Sequence, residues 1–83
     1  MSVEQDNAFL ARLETHGITT STPDAVISAA HAICEMFEQG RSVNDVGSFL
    51  MSADTNMTLR RTNAMIDAST YAYCPDYAPK AHT

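Results

Sequence analysis

Two cysteines, Cys34 and Cys74, stand far apart in a chain of only 83 residues. A domain of this size hides a modest share of its surface on folding, so core burial alone leaves it marginally stable and a further constraint is expected. An even cysteine count in so short a chain reads as one bridge if the protein occupies an oxidising compartment. Neither cysteine lies in a CxxC pair or beside regularly spaced metal ligands. Closing the loop between them would remove unfolded-chain entropy worth roughly 4 kcal/mol in the polymer treatment, from which native strain subtracts. That is a large share of the ~5–15 kcal/mol that holds a typical domain. Two free buried thiols in a reducing compartment are the alternative.

Charge narrows the field of partners. Ten acidic residues face five basic ones, for a net charge of −5. Nucleic-acid sites need clustered Lys and Arg to neutralise phosphate, and the basic doublet Arg60-Arg61 stands alone, so no nucleic-acid partner is expected. The same sign disfavours anionic lipid surfaces, and no apolar run approaches the ~20 residues of a membrane span. Polar residues begin at once with Ser2, Glu4, Gln5 and Asp6, which is not the start of a signal peptide. A secreted or cell-envelope location therefore requires that the chain be a mature fragment and Met1 an added start.

Helical periodicity runs along the chain, with no sustained alternation and no repeat. Phe9, Leu10 and Leu13 form the stripe of a first helix from about Val3 to His16, with Ser2 and Gln5 as a capping box and Gly17 placed to end it. Thr22 precedes Pro23 and Asp24, an arrangement that starts a second helix with a cap, a proline in the first turn and a favourable charge. Val26, Ala29, Ala30, Ile33, Cys34 and Phe37 continue it to Gln39, and Gly40 fits a left-handed stop. Ser42 with Asp45 caps a short third helix whose stripe is Val43, Val46, Phe49 and Leu50, ending near Ala53, although Gly47 weakens it. Asp54 or Thr55 caps a fourth, with Leu59, Thr62, Met65, Ile66, Ser69 and Tyr73 on one face, and Pro75 ends it. An all-α, four-helix array over 1–75 follows, with short connections suited to antiparallel neighbours. Residues 76–83, poor in apolar anchors apart from Tyr77, read as a mobile tail.

The elements D-N-A-F-L-A-R-L-E-T-H-G-I, A-I-C-E-M-F-E-Q-G and M-I-D-A-S-T-Y-A-Y-C-P together resemble a family of small exported mycobacterial proteins, the one catalogued as domain of unknown function 732. The resemblance runs from Asp6 to Pro75. Its most specific positions are Asp6, Phe9, Leu10, Leu13, Gly17, Ile18, Cys34, Gly40, Tyr73, Cys74 and Pro75, and the Tyr-Cys-Pro ending is the best marker. It implies a signal sequence on the precursor and a Cys34–Cys74 bond formed outside the cytoplasm. It implies no reaction.

No enzyme motif stands out. His31, Cys34 and Glu35 have the spacing of metal ligands, but an oxidised Cys34 cannot act as a thiolate, leaving an ordinary helical His–Glu pair. Cys34 with His16, His31 or His82 lacks the orienting group and oxyanion site that nucleophilic catalysis needs. Glu35, Glu38, Asp45 and Asp67 are spread as solvated helix faces usually are. Tyr71, Tyr73 and Tyr77, near His82, could line or ligate a haem or another apolar ligand, against the plainer reading in which Tyr73 packs inside, Tyr71 is partly exposed and Tyr77 anchors the tail. Met36, Met51, Met57 and Met65 read as core filler, and Asn56-Met57-Thr58 as a chance glycosylation triplet. The expected protein is a monomeric, non-enzymatic interaction module with a protein partner, with neither metal nor cofactor. Carriage of haem or lipid between the helices is the alternative.

Overall fold

Glycine and proline punctuate the chain where the sequence places them. The computed structural model describes residues 3–53 and 56–78. Helix α1 (Val3–Thr15) closes at Gly17, whose φ of +76° lets the Ile18 amide reach back to the Leu13 carbonyl at 3.1 Å. Helix α2 (Pro23–Glu38) ends in the same way at Gly40, φ +86°, with the Arg41 amide bonded to the Met36 carbonyl at 3.1 Å. Helix α3 (Val43–Ala53) opens with a reciprocal capping box: the Asp45 amide donates to Ser42 Oγ at 3.2 Å and the Ser42 amide to Asp45 Oδ2 at 3.4 Å. Helix α4 (Leu59–Tyr73) stops at Cys74 before Pro75, and Pro75–Tyr77 form one 3-10 turn.

Two starts differ from expectation. Thr22 precedes α2 but its hydroxyl makes no cap; its carbonyl accepts from Ala25 and Val26, while its own amide donates to Thr20 Oγ1 at 3.0 Å. The cap of α4 is Thr58, in extended geometry, with Oγ1 accepting the Arg61 amide at 3.1 Å. The expected caps at Ser2, Asp54 and Thr55, and residues 79–83 of the expected tail, lie outside the described residues. Of the other tail residues, Tyr77 stacks on Phe37, ring centroids 6.0 Å apart.

Phe9 and Leu13 of α1, Ile33 and Phe37 of α2, Val46 and Leu50 of α3, and Met65 and Ile66 of α4 make the core. Helix α4 touches the other three and is buried on nearly every side from Ala64 to Thr70. It manages this because it is thin: Ala64, Ala68 and Ala72 admit close neighbours, and the buried hydroxyls of Ser69 and Thr70 bond to carbonyls of their own helix, Met65 at 2.6 Å and Ile66 at 2.9 Å. The one-sided stripe expected for α4 is therefore too narrow, and its first member, Leu59, faces outward at 66% exposure. Phe49, expected in the α3 stripe, is exposed too, because Val46 and Leu50 already cover the core.

Cys34, from the second half of α2, is bonded to Cys74 just past α4, with Cα atoms 5.9 Å apart and both residues buried. The bridge ties the end of the central helix to its neighbour. Replacing both cysteines with serine should cost about 2–5 kcal/mol, read as a large drop in the denaturant midpoint, and an unchanged midpoint would show the bridge to be dispensable. Gly47 lies within α3 at an ordinary helical φ, and a Cβ there would meet only Thr62 Cγ2, at 3.6 Å. Gly47→Ala should therefore stabilise the fold by about 1 kcal/mol and raise the melting temperature by about 4–8 °C in a scanning experiment.

Candidate functional site

Asp67 was expected on a solvated helix face, yet it is 7% exposed, because α4 is covered on that side by the end of α1. A carboxylate so placed needs partners. Arg12 of α1 supplies a forked contact, Nε to Oδ2 at 2.9 Å and Nη2 to Oδ1 at 3.4 Å, and His16 places Nε2 2.7 Å from Oδ2. Burial alone pushes the Asp67 carboxyl up, but the hydrogen bonds from Arg12 and His16, with their charge, outweigh it and hold the group below its ordinary value. The hydrogen bond to Asp67 in turn keeps the Arg12 guanidinium firmly charged.

Beside this cluster a groove of about 1090 Å³ opens between α3, the first half of α4 and the end of α1. Val43, Asn44, Gly47, Ser48 and Met51 contribute one face of α3, and Leu59, Arg60, Thr62, Asn63 and Ile66 the facing side of α4, with Arg12, His16 and Asp67 at one end. Arg60 is held there by donating Nη2 to the His16 carbonyl at 3.2 Å. Thr62, 2% exposed, has a hydroxyl with no hydrogen-bond partner.

The three tyrosines have separate surroundings. Tyr71 is exposed, with the Arg12 guanidinium 4.5 Å from its ring centroid. Tyr73 tilts against Phe9 at 5.6 Å and His31 at 4.3 Å, and its hydroxyl donates to Asp6 Oδ1 at 2.5 Å. Burial first, then the Asp6 carboxylate, push the Tyr73 phenol well above its ordinary range, so it acts as a donor. Tyr77 meets Phe37, and none of the three lines the groove. Cys34 is committed to the bridge, leaving His31 beside Tyr73 with its Nε2 buried and unpaired. Of the methionines, Met65 is core, Met36 and Met57 are half-buried, and Met51 is exposed on the groove.

Sequence reasoning did not single out Arg12, Thr62 or Leu59 as site residues, and read Arg60 only as half of a weak basic doublet. The usable signals were a glycine inside an otherwise regular helix and an aspartate in the middle of an Ala/Ser/Thr-rich one.

The chain matches, over residues 5–76, the family described as Protein of unknown function (DUF732). An uncharacterized protein of Mycobacterium tuberculosis is 31% identical over 74 residues, covering 89% of this chain and 65% of its own length. A second uncharacterized protein, from Mycobacterium bovis, is 33% identical over 72 residues, covering 87% of this chain and 64% of its own length. This chain thus spans a little under two thirds of these relatives. No solved structure matches it.

Removing the Asp67 charge isolates the cluster's contribution. Asp67→Asn should lower stability at neutral pH by about 1–3 kcal/mol, the loss of charge-assisted hydrogen bonds to a buried carboxylate. A depressed carboxylate stabilises above its unfolded value, near 4, and loses that contribution as pH falls through the lower folded value. Denaturant titrations at stepped pH should therefore show the gap between wild type and variant constant at neutral pH and closing below about pH 4.

Proposed function

This chain belongs to the DUF732 family, and from that premise and its own geometry we propose that it is an extracytoplasmic, non-enzymatic module that binds a protein partner through the α1–α3–α4 groove. The observation that carries the reading is the groove itself, where Met51 and Leu59, 46% and 66% exposed, flank polar side chains on a disulfide-stapled scaffold. Large apolar side chains held at a concave surface cost solubility unless something covers them.

Location outside the cytoplasm is supported by the buried Cys34–Cys74 bond, since thiols in the cytoplasm are kept reduced. No helix among the described residues is long and apolar enough to cross a membrane. The comparisons indicate no enzymatic family. Binding rather than catalysis is also supported by Asp67, the acid at the groove, which is locked between Arg12 and His16 with its proton affinity lowered, the opposite of a poised general acid. The second reading, carriage of an apolar ligand, has the same groove in its favour, with Val43, Met51, Leu59 and Ile66 as its lining.

Oxidised protein immobilised alongside a Leu59→Lys variant, exposed to mycobacterial envelope extract, should retain a partner on the wild type that the variant loses. The same partner on both, or none on either, would contradict the reading. Protein recovered from culture fluid and envelope under denaturing alkylation should carry no alkyl group before reduction, and recovery only from the cytoplasm with both thiols alkylated would end the extracytoplasmic proposal.

A further inference from the structure

The groove sorts charge against the trend of the whole chain. The chain carries a net charge of −5, yet the groove is lined by Arg12, Arg60 and His16 with Asp67 as its sole acid among the described residues. Arg12 and His16 are turned to Asp67, whereas Arg60 is exposed and anchored through a neutral backbone carbonyl, so one cation stands at the end of an apolar trough. The remaining polar lining is of a different kind: the exposed side chains of Asn44, Ser48 and Asn63.

Resting on the reading as an interaction module, we infer that the groove docks a peptide segment that sets apolar side chains on Met51 and Leu59 and one carboxylate on Arg60. Amides and hydroxyls are the groups that pair with a peptide backbone, which carries one donor and one acceptor at nearly every residue, whereas an alkyl chain has no use for them. The carboxylate is selected by complementarity: it is repelled by most of this acidic surface and drawn to the groove's basic end. Gly47 fits the same occupant. Neither its φ nor its neighbours exclude a side chain, since a Cβ would meet only Thr62 Cγ2 at 3.6 Å, and what glycine does there is leave bare floor for close approach of another backbone.

The test is selection of phage-displayed random peptides on the oxidised protein, followed by calorimetric titration of the synthetic consensus. The expected consensus holds apolar residues and one Asp or Glu. Leu59→Lys should weaken its binding about tenfold or more, and Arg60→Gln about tenfold for the acidic peptide but little for a peptide in which that carboxylate is an amide. Gly47→Ala should weaken binding several-fold while the thermal midpoint rises, a combination that a purely structural role does not produce. Failure to enrich any consensus overturns the inference. A consensus indifferent to both Leu59→Lys and Arg60→Gln also overturns it, while leaving a module that binds through another face. Dodecanoate binding with the same variant sensitivity, where no peptide binds, would replace the peptide by a lipid carboxylate.

Discussion

Central placement of α4 governs this molecule. A helix wrapped by three others in so small a domain has to be slender and has to satisfy its own polar groups, since no water reaches them. Its alanines supply the slenderness, and Ser69 and Thr70 turn their hydroxyls back onto carbonyls one turn earlier. Such a helix contributes little apolar area for its length, which is why its middle and its end are fastened by other means. Asp67 grips Arg12 of α1 and His16 just beyond it from its middle, and Cys74 at its close is bonded to Cys34 of α2.

The parts of this arrangement that are local were legible in the sequence. Gly17 and Gly40 terminate helices because only their left-handed geometry allows the next amide to turn back, and Ser42 with Asp45 satisfies amides within one turn of chain. The bridge was legible because two cysteines in a short chain have few options. Relations across the fold were not. Asp67 looks like any helix-surface carboxylate until Arg12, fifty-five positions earlier, is brought against it. Phe49 fits the periodicity of α3 as well as Leu50 does, and only the width of the core decides that one is left out. Tyr71 and Tyr73 are neighbours in sequence, but two steps along a helix turn through more than half a circle, so they meet Arg12 and Phe9 on different sides.

The groove shows how a stapled domain can expose what a softer one would bury. Met51 and Leu59 are large enough to have joined the core, yet Val46, Leu50 and Ile66 fill it from α3 and α4 and these two side chains line the groove instead. With the end of α4 covalently held and its middle clamped by an ion pair, the helix has fastenings other than those two side chains. They are left to the surface on the groove that Arg60 also lines, and Arg60 is itself held by the His16 carbonyl just past α1.

Gly47 is where stability and an open surface pull in opposite directions. Within a helix glycine is less favourable than alanine by about 1 kcal/mol, and here the extra methyl would find ordinary contact with Thr62 rather than a clash. In a domain without much stability to spare, a residue that forgoes that gain is either neutral drift or serves something other than the fold. Its position favours the second: it lies on the α3 side of the groove, directly over the methyl group of Thr62 and between the exposed Asn44 and Ser48. A missing side chain there leaves a space flanked by the exposed Asn44, Ser48 and Asn63, and an approaching peptide backbone can come close and find partners at once.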